Sequence, residues 1–336
     1  MISRYLQEDP VPLILEKGSP VVRYLAGRDL AQEGSAPPSY KELFDDPMVT
    51  RLLKSERGGC LGSRRRFDLY YRGAQWRLAE AVEYGLDGRT EAVKKTAEFV
   101  ASETTGEDGG FTFNWKPPLS AACRTGDMVY YLASVLGRDH EAVRRGVEWI
   151  CARQRHDGGW LHCPLGGTCD MMKLTLFRRA GSGLKREEDQ AVSSCFYATA
   201  SCLKGLIAAG PENSDVIQKG VDFFLGRRLF LGRGSEPIAP GNSWNRDFRL
   251  LGYPVLCQYD ILAGLDLVSR WECGGDDRIS IAFNLLMQKQ NSNGTWNLEQ
   301  TGTGMLYGPA DFSRRGAYNA MVTLRVLRFL KNFKDE

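Results

Sequence analysis

The sequence predicts an all-α protein, an (α/α)5–6 toroid of inner and outer helices, and three observations carry that prediction. The first is a repeated turn. Gln154-Arg155-His156-Asp157-Gly158-Gly159-Trp160 and Gln290-Asn291-Ser292-Asn293-Gly294-Thr295-Trp296 share the pattern Q-x-x-x-G-x-W, and Glu107-Asp108-Gly109-Gly110-Phe111 is a degenerate copy. The second is an apolar triplet at i, i+4, i+7 before each turn: Val93/Ala97/Val100, Val143/Val147/Ile150 and Ile279/Phe283/Leu286. The third is phase. The last triplet residue precedes the turn glycine by nine residues at Gly109 and by eight at Gly158 and Gly294. A fourth triplet, Ile217/Val221/Phe224, reaches Gly232 in eight residues without the Gln or Trp. A pattern that drifts in residue type but keeps its spacing marks a structural repeat.

The elements follow in order. Stretches 3–16, 20–32 and 40–54 are predicted N-terminal helices, so residues 1–55 are expected to complete the outer layer of a single domain whose repeats fill 56–336. Segments near 89–104, 139–153, 213–228 and 276–289 mix charges with one apolar stripe, as a helix with one wet face does. Segments near 67–85, 121–136, 189–209, 253–270 and 312–333 are richer in apolar and small residues and read as inner helices. Such pairs make an open solenoid or a closed ring. Closure is expected, because neither end carries a charged capping repeat.

Composition agrees with one globular body: 336 residues, 43% hydrophobic and 25% charged. A net charge of +3 gives no footprint for nucleic acid or an anionic membrane. No apolar run approaches the ~18–20 residues of a membrane span, and the N-terminus lacks a signal peptide's plan, so a soluble cytoplasmic protein is expected. Nine cysteines, an odd number, argue for thiols or metal ligands over a disulfide framework. The oligomeric state, a homodimer included, is not fixed by the sequence.

The Q-x-x-x-G-x-W turns between paired helices resemble those of the squalene–hopene cyclase, oxidosqualene cyclase and protein prenyltransferase β-subunit superfamily, from about Cys60 to Phe329. Tyr71-Arg72-Gly73-Ala74-Gln75-Trp76, Tyr259-Asp260-Ile261-Leu262 and Tyr318-Asn319-Ala320-Met321-Val322-Thr323-Leu324-Arg325 look closest to small bacterial squalene-cyclase-like or prenyltransferase-like proteins. The resemblance implies an (α/α)6 barrel. It does not supply a reaction, because the catalytic signatures differ. There is no D-x-D-D, the run whose middle Asp protonates an alkene in the class II cyclases, and Glu187-Glu188-Asp189 reads as a helix start. Asp45-Asp46 and Asp276-Asp277 lack the third carboxylate of a diphosphate-binding D-D-x-x-D. Squalene polycyclisation is therefore not expected.

Cysteines mark the expected mouth of the ring. Cys123, Cys195 and Cys257 fall near the starts of successive inner helices, where the helix dipole favours thiolates. Between them lies the long insertion 161–188, with His162, Cys163, Cys169 and Asp170. Cys123, Cys163 and Cys195 with Asp170, Cys169 or His162 make a candidate tetrahedral zinc site, and the prenyltransferases hold zinc at a comparable mouth. The same thiols also read as small packing groups, since their spacing matches no compact zinc motif. Cys151, Cys202 and Cys273 read that way.

Charged residues on apolar helices demand a partner or a task, because unpaired burial costs several kcal/mol. Asp127, Tyr259 and Asp260 are the candidate acid–base groups. The alternative for Asp68 or Asp260 is an ion pair with Arg72 or Arg314. Tyr71, Arg72, Trp76, Trp115, Trp244, Arg314 and Tyr318 are candidate substrate contacts, while Trp160 and Trp296 read as plugs between layers. Two functions fit. One is an enzyme acting on a hydrophobic or alicyclic, isoprenoid-like small molecule by acid–base chemistry, with or without zinc, as a cyclase, isomerase, lyase or hydrolase. The other is a non-catalytic ligand-binding or scaffold ring.

Overall fold

A computed structural model describes residues 2–30, 38–64, 72–112, 119–161, 192–232, 247–255, 258–271, 275–301 and 314–334. They form two compact units: Met1–Lys54 with Glu83–Gly85 and Phe224–Glu336, and Ser55–Val82 with Leu86–Phe223. We refer to these as the terminal and the central unit. Among the described residues the only sheet is one antiparallel hairpin, β1 (Glu56–Arg57) with β2 (Cys60–Leu61), so the chain is all-α as predicted.

The helices are α1 (Val11–Lys17), α2 (Pro20–Leu30), α3 (Pro47–Leu53), α4 (Ala74–Glu83), α5 (Glu91–Glu103) and α6 (Ala122–Leu136). There follow α7 (Glu141–Ala152), α8 (Phe196–Ala209), α9 (Ser214–Leu225), α10 (Ile261–Arg270), α11 (Ser280–Met287) and α12 (Ala320–Asn332). The amphipathic segments became α5, α7, α9 and α11, and each buries most of its triplet, with Val147 and Phe283 half-buried. Val93, Ala97, Val100, Val143, Ile150, Ile217, Val221, Phe224 and Leu286 are all fully buried. The apolar segments became α4, α6, α8, α10 and α12. Several start later than hydropathy suggests, because a non-helical approach precedes the cap: Cys195, Asp260 and Asn319 are extended N-caps of α8, α10 and α12.

The turn consensus has a mechanical explanation. Three of the four turn glycines have positive φ, +88° at Gly109, +82° at Gly158 and +73° at Gly294, a conformation that strains any side chain, and Gly232 does not share it. The aromatic residue two or so places on is buried and stitched into the layers. Trp160 and Trp296 donate their indole N–H to the carbonyls of Ile150 and Leu286, ten residues back on the preceding outer helix, at 2.8 and 2.9 Å. Their backbone N–H groups donate forward to Thr199 and Thr323 Oγ1, at 3.1 and 3.0 Å. Phe111 does the same to Thr125 at 2.9 Å, although it has no indole to reach back with. One aromatic residue thereby bonds an outer helix to the next inner helix.

The glutamine fixes the outer layer sideways. Gln154 Nε2 donates to the Val216 carbonyl on α9 at 2.7 Å, and a Cβ on Gly158 would stand 2.1 Å from the Lys219 carbonyl. Gln290 makes a different sideways contact. It pairs instead with the chain start: Gln290 Nε2 donates to the Tyr5 carbonyl at 3.3 Å, Gln7 N–H donates to Gln290 Oε1 at 3.0 Å, and a Cβ on Gly294 would stand 1.8 Å from the Glu8 carbonyl. Within the terminal unit, residues 5–8 thus serve the last turn as α9 serves the middle one. Tyr5 packs edge-on against Phe283 and Phe333, with ring centroids 5.5 and 5.8 Å away.

Candidate active site

In the central unit the inner helices α6 and α8 approach closely, and sequence explains why. A Cβ on Gly126 of α6 would lie 2.3 Å from the Ser201 backbone of α8, and one on Gly205 would lie 2.7 Å from the Gly126 carbonyl. Only glycine permits that contact. It brings Asp127, the next residue on α6, against the polar stripe Tyr197, Ser201 and Lys204 of α8, spaced i, i+4, i+7. Tyr197 Oη donates to Asp127 Oδ2 at 2.6 Å.

Asp127 is 6% exposed. Burial pushes its carboxyl above the usual range, and Arg124, Tyr197, Lys204 and Ser201 only partly offset that. The acid holds its proton more tightly than an exposed aspartate does. Yet every group needed to receive the carboxylate, once the proton leaves, is already in place. Arg124 lies one turn away with its guanidinium 4.1 Å from the Trp76 ring, and Lys204 Nζ sits 3.8 Å from the Tyr130 ring and 5.0 Å from that of Tyr131. Of the predicted substrate contacts, Trp76 is therefore part of this cluster, while Arg72 is exposed.

Asp260 has a different setting, in the terminal unit. It caps α10 by accepting from Ala263 N–H at 2.8 Å and takes Gly252 N–H at 3.2 Å. Arg325 grips it bidentately at 2.9 and 3.0 Å. The ion pair expected for this residue exists, but its partner is Arg325 on α12, and Arg314 is exposed. Both carboxylate oxygens are committed to structure. Tyr259 beside it is 2% exposed, donates its hydroxyl to the Leu229 carbonyl at 2.8 Å and stacks on Phe224. Burial, with the Asp260 charge, raises the Tyr259 phenol well above its ordinary value, so it offers neither a base nor a free donor. Tyr318 is half-buried, just before the α12 cap. Asp127 lies in the central unit and Tyr259 and Asp260 in the terminal one.

Of the proposed zinc ligands, Cys123 and Cys195 lie among the described residues. Cys123 is the second residue of α6, whereas Cys195 is the N-cap of α8, so the two do not occupy equivalent positions. The helix start does not make Cys123 a thiolate either. Full burial raises its thiol to about 12, an effect that nearby Arg124 lessens and Asp127 increases. Cys202, whose Sγ lies 3.3 Å from the Ala122 carbonyl, is also raised by burial. Among the described residues no three His, Cys, Asp or Glu side chains gather as a metal site. The other two proposed ligands, Cys163 and Asp170, lie outside the described residues, as do Tyr71, Trp115 and Trp244.

Tyr197, Ser201, Lys204 and Arg124 were not singled out from sequence. A signal was present: a polar stripe at i, i+4, i+7 on an otherwise apolar helix needs a partner, and Asp127 supplies it.

The arrangement is that of a buried acid, its carboxyl raised by burial, on paired helices. No protein-family profile matches the chain. A squalene–hopene cyclase from Zymomonas mobilis is 30% identical over 174 residues, which is 50% of this chain and 23% of the relative. The chain therefore matches under a quarter of that enzyme's length. The relationship agrees with the turns, and the likeness to the squalene cyclase superfamily holds. Among solved structures, a protein from Actinoplanes is 15% identical at a TM-score of 0.46, covering 93% of this chain and 89% of that one. A variant of the type II terpene cyclase MstE from Scytonema, in complex with geranylgeranyl dihydroxybenzoate, has the same identity and TM-score, covering 93% and 87%. Among the described residues no helix is long and apolar enough to cross a membrane.

Proposed function

We propose that the protein is a cyclase-type enzyme acting on an isoprenoid-like substrate, with Asp127 as its general acid. The observation that carries this is a buried aspartic acid whose carboxyl burial raises above its usual range, with Tyr197 2.6 Å away to stabilise the carboxylate it becomes. The relationship to a squalene–hopene cyclase supports the substrate class. In the proposed step the Asp127 O–H bond breaks as a C–H bond forms on a substrate alkene carbon. The resulting carboxylate is held by the Tyr197 hydroxyl and the Arg124 charge, and the carbocation is left to close on a second double bond. A lone Asp on α6 would do this without the D-x-D-D run. The reading needs no metal, and no step is assigned to one.

The test is product analysis by gas chromatography and mass spectrometry, with a panel of linear isoprenoid polyenes that includes squalene. Cyclised product from the wild type, absent with Asp127→Asn of unchanged helical circular dichroism, is the expected result. Undiminished turnover in that variant would remove Asp127 from the role.

A further inference from the structure

A second feature of the central unit is unused by this chemistry. A groove of about 760 Å³ opens between the first turn and the C-terminal half of α7, and none of its lining residues belongs to the Asp127 cluster. Its size is that of a small-ligand site. Arg145, Trp149 and Arg153 recur every four residues and so share one side of the helix. The Arg153 guanidinium stacks 4.5 Å from the Trp149 ring and reaches Asp108 at 3.3 Å. Asp108 also accepts from the Ser120 hydroxyl at 2.6 Å, the Trp149 indole at 2.7 Å and Gly110 N–H at 3.2 Å. Its negative charge is thus absorbed by the protein's own donors. What faces the open groove is Arg145 and the His156 imidazole at the rim and buried Arg155 beneath, against the single further carboxylate of Glu148.

We propose that this groove binds a small soluble ligand through an oxyanion, a phosphoryl or carboxylate group, with Arg145 and His156 as the contacts and the Trp149–Arg153 stack as a rigid wall. Guanidinium groups suit such anions because their N–H forks match two oxygens at once. Gly109 keeps the floor low, since a Cβ there would come within 3.3 Å of the Arg145 carbonyl.

Isothermal titration of the full chain with inorganic phosphate, diphosphate and acetate, at constant ionic strength, tests this. Saturable binding is expected. Preference for the phosphates identifies a phosphoryl ligand, and preference for acetate a carboxylate. Arg145→Ala should weaken binding about tenfold or more, while Glu148→Gln, which removes a rim carboxylate, should strengthen it. The second variant works in the opposite sense, so a folding defect cannot imitate it. No saturable binding of any of the three anions, or affinity that neither variant changes, would overturn the proposal.

Discussion

Asp127 and Asp260 are both buried aspartates near the start of apolar helices, one in the central unit and one in the terminal unit, and their neighbours give them opposite characters. Asp260 meets two backbone N–H groups and both arms of Arg325, so every lone pair is used by the fold. Asp127 meets the Tyr197 phenol at 2.6 Å, the Ser201 hydroxyl and the Arg124 and Lys204 charges, yet burial outweighs them and raises its carboxyl above the usual range. Burial alone does not make a catalytic group. What matters is whether the partners lock in the charged form or merely wait to receive it.

The comparison can be broken from either side. Asp260→Asn should give the largest effect, a loss of roughly 3–5 kcal/mol in a urea unfolding curve, because Arg325 is left enclosed without its carboxylate. Turnover per folded molecule should be nearly retained, and an active-site role would show as loss of turnover without loss of stability. Asp127→Asn should lower turnover by about 10²-fold or more, the usual contribution of a general acid, while stability moves the other way. The folded Asp127 binds its proton more tightly than the unfolded chain does. Wild-type stability therefore falls as pH rises from about 4, the ordinary aspartate value, towards the raised folded value. Thermal melts at pH 8 should find the Asn variant more stable, with the gap closing near pH 4. A constant gap would mean that Asp127 is ionised in the fold.

Smaller effects sharpen the contrast. Tyr197→Phe should cost about tenfold in turnover, equivalent to one hydrogen bond of about 1.4 kcal/mol, with little change in substrate KM. A change in KM alone would make Tyr197 a binding residue. Cys123 should resist iodoacetamide in the native protein at pH 8, read by mass spectrometry, because a thiol raised to about 12 exposes almost no thiolate there. Rapid alkylation would restore it as a reactive thiol or ligand.

The repeats were the most legible part of the molecule. Gly158, Gly294, Trp160 and Trp296 announced turns and plugs because a positive φ and a buried indole each need one residue type. The threonines that complete the stitch, Thr125, Thr199 and Thr323, were overlooked, since a Thr in a helix looks neutral until its hydroxyl is seen accepting from the turn. Asp127 was legible as a charge out of place, but so was Asp260, and nothing in their local sequences separates them.

By itself the sequence determined the all-α class, the phase of the paired helices and the turns between them, because hydropathic period and glycine conformation are properties of neighbouring residues. Tertiary structure decided the rest. Arg325 lies 65 residues from Asp260, and Tyr197 lies 70 from Asp127. Burial raised Cys123 where the helix start alone would have lowered it. Charge partners and desolvation are set by which helices meet, and Gly126 let two of them meet closely enough to enclose an acid.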